Sequence, residues 1–168
     1  MINEVFSAAR NGELGVLRGF LDSKPALANT ENEDGLTLLG FAAHFGQTEA
    51  VKLLLDRGAD VNAVSHSKVS YIPSNTALHA AIAGERSMDV IRLILAHDAD
   101  TNLFDSNGHT SVHAAAFHDH NTEMIQLLID HGADVNAKVE GGVYAIALAK
   151  EQGNLRVAEL LRQQGAIE

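Results

Sequence analysis

Cysteine and tryptophan are both absent from this chain. Without thiols, disulfides and thiolate metal sites are excluded, and nothing points to an oxidising compartment. Aromatic residues make up only 5% of the sequence. That scarcity suits thin helices packed through Ala, Leu, Val and Ile rather than a large aromatic core. No stretch approaches the roughly 18 apolar residues needed to span a bilayer. The opening Met1-Ile2-Asn3-Glu4 has neither the basic region nor the apolar run of a signal peptide, so a cytoplasmic protein is expected. Positive charge is also scarce: 12 Lys and Arg stand against 22 Asp and Glu, a formal net charge of −10. Such a chain is repelled by nucleic-acid phosphates and anionic membranes, so neither is expected as a partner. The excess acid serves solubility; its sharper reading is a basic partner steered in by the field.

What the sequence does contain is repetition. Gly58-Ala59-Asp60-Val61 returns as Asp98-Ala99-Asp100-Thr101, as Gly132-Ala133-Asp134-Val135 and, altered, as Gly165-Ala166-Ile167-Glu168, at intervals of 40, 34 and 33 residues. A second phrase keeps the same beat in Thr37-Leu38-Leu39-Gly40, Thr76-Ala77-Leu78-His79 and Thr110-Ser111-Val112-His113. A period near 33 residues marks a solenoid, and solenoids are usually surfaces for holding a partner.

Thr76-Ala77-Leu78-His79-Ala80-Ala81 and Thr110-Ser111-Val112-His113-Ala114-Ala115 resemble the Thr-Pro-Leu-His-x-Ala signature of the ankyrin repeat family. Each is followed by an apolar block, Val90 to Leu95 and Met124 to Ile129. The resemblance runs over essentially the whole chain. It departs in two respects: no repeat keeps the signature Pro, and Gly40 replaces the first His. It implies an all-α repeat solenoid of helix-turn-helix units joined by β-hairpin loops, in a single domain over residues 1–168.

Residues 1–32 read as an N-terminal cap, with apolar stripes at helical spacing and Pro25 fixing where the second helix stops. This style of first unit resembles stand-alone bacterial ankyrin proteins. Residues 33–63, 72–104 and 105–137 read as fuller repeats, each first helix starting near a capping Thr. Gly58 and Gly132 stand at expected left-handed C-caps, and Asp98 takes that place at some cost. Residues 138–168 read as a C-terminal cap with a polar outer face. Thr37 to Thr76 spans 39 residues, which leaves a hairpin insertion at 64–71 and a lengthened finger near 64–75. Longer loops cost little and often carry function.

Nine histidines invite a metal or catalytic reading. His79 and His113 fall on the signature, where the ring is expected to bond locally. His97 and His131 sit at helix C-termini, where partial negative charge favours them. His66 lies in the finger without an evident partner. His118-Asp119-His120, with His109 nearby, is the one dense cluster, but flanking residues in a turn diverge and zinc needs three or four convergent ligands. No metal or other cofactor is expected. There is no nucleophile motif, Gly-rich phosphate loop or paired carboxylate framed by apolar residues, so no enzyme is expected either.

The remaining candidate is the concave face that the resemblance implies. Its tip residues are Glu33, Leu36, Tyr71, Ile72, Asn75, Asn107 and His109. The first helices add His44, Phe45, Ala83, Phe117 and His118. Exposed aromatics flanked by polar groups suit an interface hot spot; the bland reading tucks Phe45 and Phe117 between helices and folds the finger onto itself. The expected function is non-catalytic binding of a partner protein by a monomer. Three other readings stand beside it: an acidic, immunity-type inhibitor of a basic toxin or nuclease, a histidine-based metal protein, and a self-associating scaffold.

Overall fold

A computed structural model describes residues 1–85, 87–118 and 121–168. Its two compact units are Met1–Ala99 and Asp100–Glu168. The first holds α1 (Ile2–Asn11), α2 (Leu14–Ser23), a 3-10 turn (Pro25–Asn29), α3 (Leu38–His44), α4 (Thr48–Asp56), α5 (Ala77–Ala83) and α6 (Met88–Ala96). The second holds α7 (Ser111–His118), α8 (Thr122–Asp130), α9 (Ala145–Glu151) and α10 (Leu155–Gln163). The fold class is the expected all-α repeat solenoid.

Each helix is too short to be stable alone, so packing must hold it. In the first unit α1 lies against α3 and α3 against α5, while α2 lies against α4 and α4 against α6. First helices therefore form one row and second helices another. The second unit repeats this with α7 on α9 and α8 on α10. Small residues permit the close approach: Ala42, Ala43, Ala81, Ala115, Ala116 and Ala149 are all buried. The larger apolar side chains fill the space between rows, with Leu54, Ile91, Ile94, Ile125, Leu128 and Ile146 fully enclosed.

Helix starts follow the threonines. Thr37 Oγ1 accepts from the Gly40 amide at 3.1 Å, and Thr76 caps α5 through the His79 amide. In that second copy the hydroxyl also pairs with His79 Nδ1 at 2.8 Å, in a buried site. His113 does more. Its Nδ1 accepts from the Thr110 amide at 3.1 Å, and the Thr110 hydroxyl is 2.8 Å away. Nε2 then donates to the Val143 carbonyl at 2.8 Å, which ties one repeat to the next. Gly40 has no ring to offer, so α3 is capped by the Thr hydroxyl on the backbone alone.

Helix ends follow the Gly-Ala-Asp phrase. Gly58, Gly132 and Gly165 have φ of 85°, 89° and 88°, and Asp98 is the one described non-glycine with positive φ, at 62°. In three of these turns the Asp carboxylate accepts the amide two residues on: Asp60 from Asn62, Asp100 from Asn102, Asp134 from Asn136. Those asparagines reach the neighbouring turn. Asn102 donates to the Gly132 carbonyl at 2.9 Å and accepts from the Asp134 amide at 2.8 Å. Asn29 does the same to Gly58 and Asp60, and Asn136 to Gly165 and Ile167. Asn62 donates to the Asp98 carbonyl at 3.3 Å.

Pro25 opens the 3-10 turn after α2 has ended at Ser23. At the other end the Glu168 carboxylate meets Lys150 at 3.0 Å and Arg162 at 2.7 Å. The hydrogen bond from Lys150, then that from Arg162, holds its carboxyl below the ordinary value. A lowered carboxyl stabilises the fold at higher pH, and that contribution fades as pH falls through its folded value.

No strand forms among the described residues. A single isolated antiparallel bridge pairs Glu31 with Thr37, so the expected β-hairpin joints do not appear as ladders. Side-chain acceptors tie the tip turns instead. Asn32 Oδ1 takes the amides of Asp34 and Leu36, and Asp105 Oδ1 takes those of Asn107 and His109.

Stability outcomes follow both from this packing and from these turns. Leu54→Ala or Leu128→Ala should cost about 2–5 kcal/mol by opening a cavity. A Cβ on Gly132 would meet nothing within 4 Å, so Gly132→Ala isolates the backbone cost, about 1–2 kcal/mol. Asp98→Gly should raise stability by roughly 0.5–1 kcal/mol for the converse reason. Urea denaturation of the variants tests both, and an unchanged midpoint for Gly132→Ala would sink the account of the turn.

Candidate functional site

The finger at 64–75 is built onto the tip turn before it. The His66 amide donates to the Gly35 carbonyl and the Lys68 amide to the Asp34 carbonyl, each at 2.9 Å. Sequence reasoning left His66 without a partner, and the structure corrects this: its Nδ1 lies 2.8 Å from Glu31 Oε1, which also accepts the His66 amide at 3.1 Å. Gly35 has φ of 75°, and a Cβ there would stand 2.0 Å from the His66 carbonyl oxygen. Only glycine fits that contact.

Serines close the base of the finger. The Ser65 amide donates to the Asn75 carbonyl at 2.9 Å, and the Asn75 amide returns to Ser65 Oγ at 3.0 Å. Further out, Ser74 Oγ accepts the Ser67 amide at 3.0 Å, and the Ile72 amide turns back to the Val69 carbonyl at 3.0 Å. The result is an anchored projection with Tyr71 84% exposed at its end. Ile72 and Asn75 are half-buried along its return, Glu33 is exposed on the supporting turn, and Leu36 is half-buried.

Phe45 belongs to a different cluster. Its ring meets Phe41 edge-on at 5.1 Å, and Phe41 meets buried Phe6 at 5.2 Å. The Arg10 guanidinium sits 4.7 Å from the Phe45 centroid. Phe45 is therefore the half-buried end of an aromatic row reaching back to α1. His44 beside it is exposed, while its carbonyl accepts the Glu85 amide at 2.9 Å. Sequence reasoning missed Phe41 and Arg10. The four-residue spacing of Phe41 and Phe45 was a readable signal, but the partner from α1 was not.

In the second unit, Asn107 is exposed on the Asp105 turn and His109 is half-buried. The His109 ring stacks on His113 at 5.5 Å with 12° between planes. Phe117 is 45% exposed near the end of α7 and meets His118, also exposed, edge-to-face at 4.9 Å. Asp119 and His120 of the suspected cluster lie outside the described residues. Among the described residues no group of three or more His, Asp or Glu could hold a metal ion. His97 and His131 each place Nδ1 2.9 Å from the carbonyl four residues back, of Leu93 and Leu127.

The family model for ankyrin repeats (three copies) matches residues 5–65 and 65–139. This chain belongs to the ankyrin repeat family. Ankyrin repeats are in general protein–protein interaction modules. Among curated proteins the chain is 39% identical over 67 residues to palmitoyltransferase akr1 of Emericella nidulans, covering 40% of this chain and 9% of that one. It is 33% identical over 105 residues to the E3 ubiquitin-protein ligase XB3 of Oryza sativa, covering 62% and 22%. It is 31% identical over 107 residues to ankyrin repeat and SAM domain-containing protein 6 of Rattus norvegicus, covering 63% and 11%. The match thus takes in less than a quarter of the length of each of these relatives. No helix among the described residues of this ankyrin repeat protein is long and apolar enough to cross a membrane.

The two aromatic positions of the first unit should behave differently. Tyr71→Ala should shift stability by no more than about 0.5 kcal/mol, as surface changes do. Phe45→Ala should cost roughly 1–2 kcal/mol, since it removes a ring pair and a cation–π contact. Thermal melts of both variants decide it, and equal losses would contradict the exposures described.

Proposed function

We propose that this ankyrin repeat protein is a non-catalytic module that binds a partner protein on the face made by its tip turns and first helices. The observation that carries this reading is the anchored finger. A backbone fixed at both limbs holds Tyr71 in solvent, where it fills no core position. Binding then needs little further ordering, so affinity is not spent on it.

In the first unit the contacting residues would be Glu33, Leu36, Tyr71, Ile72 and Asn75, with His44 and Phe45 beside them. In the second they would be Asn107, His109, Phe117 and His118. The net charge of −10 favours a basic partner, and an immunity-type role against a basic toxin or nuclease is the specific form that charge supports. A cytoplasmic monomer without cofactor, its residues 1–32 and 138–168 serving as caps, completes the reading.

The test is affinity capture from native extract at low and high salt, with the wild-type protein beside a Tyr71→Ala/Phe117→Ala variant. These two rings are exposed, so the variant should keep its fold. One partner retained by the wild type, lost by the variant and weakened by salt is expected. A partner bound equally by both proteins would overturn the proposed face, and one indifferent to salt would remove the basic target.

A further inference from the structure

The geometry points to Asn107–Gly108 as a site of spontaneous covalent change, at which the asparagine converts to aspartate and isoaspartate. The reaction needs a side-chain amide next to an unhindered backbone nitrogen. Gly108 supplies that nitrogen, having no Cβ to obstruct the approach. Asn107 is exposed on the tip turn, and its side-chain amide makes no hydrogen bond among the described residues.

The bonds balance as follows. The Gly108 nitrogen attacks Asn107 Cγ, a new C–N bond closes a five-membered imide, and the Cγ–Nδ2 bond breaks. The proton from the Gly108 nitrogen leaves with the departing amine as ammonia. Water then adds to one of the two imide carbonyls. Opening on one side restores the backbone as aspartate; opening on the other routes the chain through the side chain as isoaspartate, one methylene longer.

Two features of the turn set where and when this happens. The Gly108 amide donates to the Asp105 carbonyl at 3.0 Å, while Asp105 Oδ1 holds the amides of Asn107 and His109 at 2.9 Å each. The nucleophile is thus engaged while the turn is closed and released when it opens. Opening of an exposed loop costs far less than global unfolding. The chain has a second Asn-Gly pair, at Asn11–Gly12, which serves as an internal comparison. There the asparagine ends a helix, and its side chain donates to Glu13 Oε1 at 3.0 Å and to Ser7 Oγ at 3.4 Å.

The glycine cannot be exchanged cheaply. Gly108 has φ of 77°, and a Cβ on it would stand 2.7 Å from Val139 Cγ2. The consequence of conversion is local. Either product adds a carboxylate, and isoaspartate lengthens the backbone next to His109, whose ring stacks on buried His113.

The folded protein is incubated for weeks at neutral and at mildly alkaline pH, then mapped by peptide mass and by enzymatic methylation of isoaspartate. Conversion at 107 is expected to run severalfold ahead of conversion at 11 and to rise with pH. Asp105→Ala should accelerate it severalfold, with circular dichroism confirming the fold, and Asn107→Gln should be silent at that position. Conversion at 11 ahead of 107 in the wild type, or none at either site, would overturn the assignment whatever Asp105→Ala does.

Discussion

The structure depends on one backbone conformation, the left-handed residue that follows α4, α6, α8 and α10. It stops the helix, and it turns a carbonyl and a nearby amide sideways, where the asparagine of the preceding turn receives both. Asn29 on Gly58 and Asp60, Asn102 on Gly132 and Asp134, and Asn136 on Gly165 and Ile167 all use this arrangement. A residue of ordinary φ there would leave those polar groups pointing elsewhere, and an unpaired partner costs more than a made bond gains. Helix pairing, row formation and the burial of the alanines all lie downstream of that register.

The tip turns solve the same problem from the other side. They carry no ladder, so their amides need acceptors, and Asn32 and Asp105 provide them. With the turns held by side chains, the loop length between repeats is free to vary. Residues 64–75 exploit that freedom, and the earlier turn supplies the missing acceptors through the carbonyls of Asp34 and Gly35.

Much of this was legible in the sequence because it repeats. A residue that returns at a fixed interval declares a position, and Thr37, Thr76, Gly58 and Gly132 could be given their places from the period alone. The asparagines were equally periodic, two residues after each Asp, yet their role depends on which turn stands beside them, and the reading passed over them. The candidate surface was legible only as a set of positions. Tyr71 lies in an unrepeated insertion, so its exposure rests on contacts such as Glu31 with His66, which no interval announces. Phe45 was legible only as a position for a related reason: its ring lies against Phe41 and beneath Arg10 of α1, and a first repeat departs most from the pattern.

The tightness of Gly35 against the His66 carbonyl divides the finger into two regimes. Up to Lys68 and again from Ser74 the chain is pinned, and a change of length there would shift every bond at the base. Between those pins the hydrogen bonds of residues 69–73 stay within the finger, from the Ile72 amide to the Val69 carbonyl and between Val69 and Ser67, so their chemistry can change without breaking a bond to the supporting turn. The finger is in effect a cassette, a short stretch in which new binding specificities could be tried one after another while the scaffold stays as it is.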